Sequence, residues 1–408
     1  MVDKFDAEVA VIGLGAAGAQ TLYHLAKRGV NVIGLEQHWS PNERSAHAGE
    51  HRLLHPLPFS PQGSPDHEIL QDVMPSWHQF QEETGSNLIV ESGVMLLGYQ
   101  DDEDSLNMAE NARVRDGDDR NVLTSSQLKK RYPLFNTPDD GIGVFDELGG
   151  AVRSEMAIFT AVHHAQKLGA EVHTDTRVIG WAIHNDRIRI FTKDKEYVVG
   201  KVVISPGAYA VELLPDLPIR ARRLVNGWFI PKPEYMDAYS DPAQLPAFHG
   251  AIGDRRGELF YGAGSFDKPY VKIGADFNWG MADEINQDDF HVLPQDLDGI
   301  RMMARERFVG LDDSPLRSLK LMDGWSVDFD ALVGPYGPSG RIVVAAGFSG
   351  YGFTVSPVIG KIVADLIERG ETKYNIEHLD PSRFVNQQAT LSEFWSKTGG
   401  WNRHWTQL

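Results

Sequence analysis

The sequence predicts an α/β fold, α+β overall, and three observations carry that prediction. A strand, a glycine turn, a helix and a second strand open the chain. A second strand, glycine loop and helix close it at 340–370, and short alternating segments interrupted by Pro and Gly lie between. Parallel-type units at both ends of β-rich material describe a discontinuous first domain with a second one inserted into it. At 408 residues, two intimately packed domains are expected in any case.

Each element has its own signal. Residues 8–14, EVAVIGL, are a continuous apolar run of the kind that forms a buried parallel strand. Residues 16–28 place Ala16, Ala19, Leu22, Leu25 and Ala26 near helical spacing and stop at Gly29, and VNVIGLE follows as a strand. Residues 153–172 read as helix, glycine stop and strand; 177–210 read as three strands with turns at Asn185-Asp186 and near Lys195. From about 225 to 320 the pattern predicts an antiparallel sheet of short strands. The Trp-containing tail 386–408 is expected to dock on the body.

Composition excludes several function classes. A net charge of −18 argues against a nucleic-acid partner. With no cysteine there is no disulfide, thiolate zinc site, iron–sulfur cluster, cysteine nucleophile or sulfur-linked cofactor. No stretch approaches eighteen apolar residues and no signal-peptide pattern opens the chain, so a cytoplasmic protein with no membrane partner is expected.

Gly13-Leu14-Gly15-Ala16-Ala17-Gly18 is a GxGxxG between a predicted strand and helix, the context its mechanism demands. Gly13 permits the tight turn, Gly15 admits a pyrophosphate close to the backbone, and Gly18 lets helix and strand pack. Glu36, at the end of the second strand, is placed to accept from a ribose hydroxyl. This motif alone leaves NAD and FAD open. The further small-residue loops VVISPGAY and AAGFSGYGF would converge on one elongated ligand, which fits FAD better.

VAVIGLGAAG, GLEQ, GEHRLLH, RSEMAI, YGAGSFDKPYVKIG and VVAAGFSGYGF occur in order over nearly the whole chain. Together they resemble the monomeric sarcosine oxidase and N-methyltryptophan oxidase family of flavoproteins. The resemblance implies a Rossmann-like FAD-binding domain, discontinuous over 1–90, 150–220 and 325–385, with an inserted antiparallel-sheet substrate domain over 91–149 and 221–324. It also implies FAD-dependent oxidation of a secondary or tertiary amine to an imine that water hydrolyses, with molecular oxygen reduced to hydrogen peroxide. Alternatives are an amine dehydrogenase using another electron acceptor, and a non-catalytic FAD-binding subunit. A small-molecule amine is the expected partner, and a monomer the expected state.

Residue by residue, the resemblance implies a catalytic set of Lys272, Arg52, Tyr261, His55 and Asp276. Lys272 would promote the reaction with oxygen, and Arg52 would lie beside the flavin. Cofactor contacts are implied at Gly13, Gly15, Ala16, Ala17, Gly18, Glu36, Gln37, Arg44, Ser45, Arg52, Val178, Pro206, Gly207, Gly347, Gly350, Tyr351, Gly352, Phe353 and Thr354. Substrate contacts are implied at His55, Tyr261, Asp323 and Thr354, and no metal site.

Three departures stand out. The family's flavin-linking cysteine falls on Leu321, so FAD is expected to be non-covalent and a weaker oxidant unless positive charge compensates. The arginine and lysine that grip a substrate carboxylate fall on His55 and Thr354. A histidine four residues after the lysine is Asp276, and a tyrosine near the missing cysteine is Asp323. A substrate with less negative charge than an N-methyl amino acid is therefore expected; the alternative is a carboxylate held by Arg222 or Arg223. His55, Asp276 and Asp323 are open candidates for accepting the amine proton.

His47, His51 and His55 recur every four residues, the spacing of a metal-binding helical face. Gly49 lies inside the run, and Pro41, Pro56 and Pro58 flank it, which argues instead for a loop leading from the nucleotide site toward the flavin. His47 keeps a second possibility, since related flavoproteins attach FAD to a histidine in a comparable loop.

Overall fold

Residues 5–55, 64–252, 255–266, 268, 270–275, 281–282, 285 and 290–384 are described by a computed structural model. The fold is mixed α/β with three sheets. In the first, Ala7–Ile12 lies between Val32–Leu35 and Glu196–Ile204, all parallel. Glu171–His173 extends the sheet beyond Val32–Leu35, and Ile342–Ala346 pairs in parallel with the end of Glu196–Ile204. The start of Glu196–Ile204 instead carries the antiparallel strands Val178–His184 and Arg187–Thr192. Leu332–Pro335 completes the eight strands, antiparallel to Ile342–Ala346.

The helix Ala16–Lys27 is buried at every residue from Ala17 to Ala26. It packs against both Gly352–Arg369 and Ser154–Lys167, so it needs apolar or small residues on more than one face. Gly352–Arg369 runs through Pro357, which has no N–H for the Phe353 carbonyl. Ser356 Oγ donates to that oxygen at 2.9 Å, so the ladder bond lost to proline is replaced from the side chain.

The second sheet has nine strands, built from 94–146, 219–282 and 317–326. The eleven-residue strand Ile219–Phe229 is its organiser, flanked by Val271–Ala275 on one side and Arg317–Ser326 on the other. The predicted antiparallel pairing holds for most of this sheet; the exception is Ala247–Gly250, which runs parallel to Val94–Leu97. A second difference is the helix Asp298–Arg307 inside the region read as strands. Its buried residues, Ile300, Met303 and Ala304, do have helical spacing, but three apolar positions among charged ones give a weak signal. This helix covers the face carrying Phe229, Phe248, Phe260 and Ile273, and Phe308 packs 4.9 Å from the Phe248 ring. A small third sheet joins His51–Leu54, Gly150–Arg153 and Ile89–Val90 at the junction of the two larger ones.

Candidate active site

A cavity of about 340 Å³ runs from the first glycine turn to the open face of the second sheet. At one end Gly13 has φ +85°, and a side chain there would meet the Ser205 carbonyl oxygen at 2.5 Å. A Cβ on Gly18 would lie 1.9 Å from the Gly13 oxygen and 2.6 Å from Ser205 Oγ. Gly18 therefore packs helix on turn and does not face the cavity, as its packing role predicts. Gly15, Ala16 and Ala17 do line it, with the N-terminus of the Ala16–Lys27 helix directed at the space.

Glu36 is buried and lines the same end. Its Oε2 accepts the Leu14 N–H at 2.8 Å and its Oε1 accepts the His38 N–H at 3.1 Å. Burial pushes its pKa up, and these backbone donors oppose the shift. Gln37, Arg44, Ser45, Val178, Pro206 and Gly207 line the adjoining walls. Gly350, Tyr351, Gly352, Phe353 and Thr354 line the far side, at the start of the Gly352–Arg369 helix. Gly347 does not: at φ +66° it turns the chain, and a Cβ there would meet Leu332 at 2.7 Å.

Lys272, Arg52, Tyr261, His55 and Asp323 come together at the sheet end. Lys272, 2% exposed, donates from Nζ to the carbonyls of His51 at 2.7 Å and Gly49 at 3.1 Å. Burial, reinforced by the Arg52 charge, holds its pKa well below the ordinary lysine value. Arg52 donates to the carbonyls of His51 at 2.7 Å, Ala48 at 2.7 Å and Ala46. Two cations thus hold one loop, and Glu155 adds a third tie by accepting the Gly49 N–H at 2.8 Å. Ser154 Oγ donates to the His47 carbonyl at 2.8 Å. The RSEMAI stretch therefore works as the clamp of this loop, a role that only tertiary placement discloses.

Asp323 Oδ2 accepts from Trp325 Nε1 at 2.9 Å and Oδ1 from the Gly324 N–H at 3.0 Å. Burial raises its carboxyl to about 6 against these bonds and the charges of Arg222 and Arg52. Arg222 and Arg223, the alternative carboxylate holders, do not line the cavity. Arg222 is fully buried opposite Asp323 across the strand pair, its guanidinium 4.0 Å from the Trp325 ring centre. His55 stacks on His249 at 5.5 Å, and burial lowers their pKa values to about 4 and about 3. Thr354 Oγ1 donates to the Leu53 carbonyl at 3.0 Å, so its hydroxyl is engaged with the chain. Asp276 and the tail 386–408 lie outside the described residues.

The three loop histidines have separate surroundings. His47 Nε2 accepts from the Asn42 N–H at 3.4 Å, His51 lies 5.4 Å from the Phe266 ring, and His55 faces His249. His51–Leu54 is a strand, where the sequence suggested continuous loop. His249, Asn226 and Asp330 also line the cavity and carried no sequence signal, since each lies in an ordinary alternating strand or turn.

The residues present fit a dinucleotide. Gly13 lets the turn close against Ser205, Gly15 leaves space at a helix N-terminus for a pyrophosphate, a buried carboxylate stands at the end of the second strand, and the cavity continues to a wall bearing Lys272 and Arg52. Leu321 lines that wall, so no thioether can form there.

Comparison with known proteins agrees. Residues 8–366 match the FAD dependent oxidoreductase (DAO) family. Monomeric sarcosine oxidase of Streptomyces avermitilis is 29% identical over 94% of this chain and 99% of its own. N-methyl-L-tryptophan oxidase of Yersinia pestis is 25% identical over 93% of this chain and 100% of its own. Among solved structures, NikD, an amino acid oxidase essential for nikkomycin biosynthesis, superposes with a TM-score of 0.81 at 21% identity, over 93% of this chain and 98% of that one.

Proposed function

The chain belongs to the FAD-dependent oxidoreductase family, and from that premise we propose that it oxidises the C–N bond of a secondary or tertiary amine. The observation that carries this reading is the joint presence of Lys272, Arg52 and Tyr261 on one wall of a cavity whose other end is a dinucleotide cradle. The relatives named for sarcosine and N-methyl-L-tryptophan oxidation support it.

Bound FAD would supply a two-electron acceptor for oxidation of the C–N bond. Gly13, Gly15 and the following helix N-terminus would hold its pyrophosphate, and Glu36 the adenosine ribose. Arg52 and Lys272, positioned by the carbonyls to which they donate, would supply positive charge on the wall opposite the glycine cradle. Tyr261 and the His55–His249 pair line the substrate side. The amine reaches the site as an ammonium and must lose a proton from nitrogen before its C–H can be oxidised. Burial lowers His55 to about 4 and His249 to about 3 and so makes them weak bases, whereas Asp323, raised to about 6, is the stronger base on this wall and the proposed proton acceptor. The imine product is then open to hydrolysis by water.

Molecular oxygen is the proposed electron acceptor, with hydrogen peroxide as product, because a buried cation in Lys272's position stabilises charge developing on oxygen. A cytoplasmic monomer is the proposed state. Its support is the absence, among the described residues, of any helix long and apolar enough to cross a membrane, and relatives named as monomeric. Mixing the holoenzyme anaerobically with a library of secondary and tertiary amines tests the reading: at least one should bleach the flavin, and admitting air should restore the colour with one peroxide per turnover. Persistent yellow colour across the library would sink it.

A further inference from the structure

Four adjacent strands place one row of residues on the cavity face of the second sheet. Asn226 pairs with Gly274, Gly274 with Tyr261, and Tyr261 with His249. His55 then stacks on His249 from the third sheet. The glycine in this row is a gap that its neighbours fill: a Cβ on Gly274 would lie 2.3 Å from Asn226 Oδ1 and 2.4 Å from the Tyr261 ring. Asn226 is 1% exposed and lines the cavity, yet among the described residues its Oδ1 has no hydrogen-bond donor. A buried acceptor left unpaired costs stability unless something bound supplies a donor.

Charge on the same wall points the same way. Lys272 and Arg52 each give N–H groups to backbone carbonyls, and the carboxylates of Glu50, Glu155 and Asp323 surround them. Arg317, the next cation, is paired with Glu43. His55 and His249 carry no charge near neutral pH. A substrate carboxylate here would add a further negative group beside Asp323.

We propose that Asn226 determines specificity, and that beside its reacting C–N bond the substrate bears an uncharged hydrogen-bond donor, an amide N–H or a hydroxyl, in place of a carboxylate. The inference rests on the amine-oxidation reading and names the substrate class for that site. Asn226 Oδ1 accepts from the donor, Tyr261 packs beside it, and the stacked imidazoles close the polar band without charge.

The test pairs two amines that differ only in this group, N-methylglycinamide and N-methylglycine, each mixed anaerobically with the holoenzyme. The amide should bleach the flavin with at least a ~10-fold higher second-order rate, the discrimination expected of one engaged buried hydrogen bond. Asn226→Val should collapse that ratio toward one, and Asn226→Asp, which keeps an acceptor oxygen, should retain it; an unchanged flavin spectrum certifies that each variant is folded. A second measurement uses 2-methoxyacetamide and 2-methoxyacetate, which have no oxidisable nitrogen, and reads their dissociation constants from the shift of the flavin bands. If no amine bleaches the flavin while the methoxyacetamide still binds more tightly, the amine-oxidation reading falls and the donor recognition stands. Parity, or preference for the carboxylate in either assay, overturns the inference.

Discussion

Lys272 Nζ lies 2.7 Å from the His51 carbonyl oxygen, and this bond fixes a positive charge between the second sheet and the loop that precedes His51–Leu54. Burial disfavours the ammonium and the His51 and Gly49 carbonyls favour it; while protonated, its field at the cavity is little screened. Replacing it by methionine keeps the length and removes the charge. Lys272→Met should slow reoxidation of the reduced enzyme by roughly 100- to 1000-fold, the size of losing one preorganised charge-stabilising donor. Flavin reduction by amine should fall much less. Stopped-flow mixing of pre-reduced enzyme with oxygen measures this, and a variant reoxidised at the parental rate would remove Lys272 from the oxygen step.

The cradle at the other end depends on Gly18 having no side chain. With a Cβ 1.9 Å from the Gly13 oxygen, Gly18→Ala must push the Ala16–Lys27 helix off its turn. That helix is buried between two others and cannot move freely. We expect Gly18→Ala to bind FAD at least ~100-fold more weakly, matching a cost of roughly 3 kcal/mol for overpacking. Titrating apoprotein with FAD and following flavin fluorescence gives the constant directly.

Much of this end was legible in the sequence, because the GxGxxG and Glu36 encode local geometry: a turn, a helix start and a strand end. The substrate wall was legible only in part. Lys272, Tyr261 and Arg52 were placed by family resemblance, whereas Asn226 and His249 were missed. Their proximity arises from strand register across the sheet, and register between strands far apart in sequence leaves no short pattern to read. Glu155 was missed for the same reason: it acts on Gly49, 106 residues away. The helix Asp298–Arg307 was missed because its buried face is only three residues wide.

FAD should be held without a covalent bond. No cysteine exists, and Leu321 occupies the wall where a thioether would form. His47 lines the cavity, but its Nε2 is already the acceptor for the Asn42 N–H, and burial drives its pKa down to about 3. Acid precipitation should therefore leave all the flavin in the supernatant and an apoprotein of unmodified mass. Flavin retained in the pellet, with a mass increment mapping to the peptide containing His47, would refute this.

His24 offers a stability prediction independent of the site. It lies in the helix Ala16–Lys27, its Nε2 has no partner among the described residues, and burial followed by the charges of Lys361 and Arg28 lowers its pKa to about 3. The folded chain therefore keeps this imidazole neutral down to about pH 3, while the unfolded chain protonates it below about 6.5. In that window the unfolded state binds one proton more, so stability rises with pH and falls on acidification. One proton corresponds to about 1.4 kcal/mol per pH unit. His24→Leu, which keeps the site apolar, should lose roughly 1.5–2 kcal/mol less unfolding free energy than the parent between pH 6.5 and 5. Urea unfolding of the two holoproteins at both pH values decides it, and parallel pH dependence would show that His24 is protonated in the folded state.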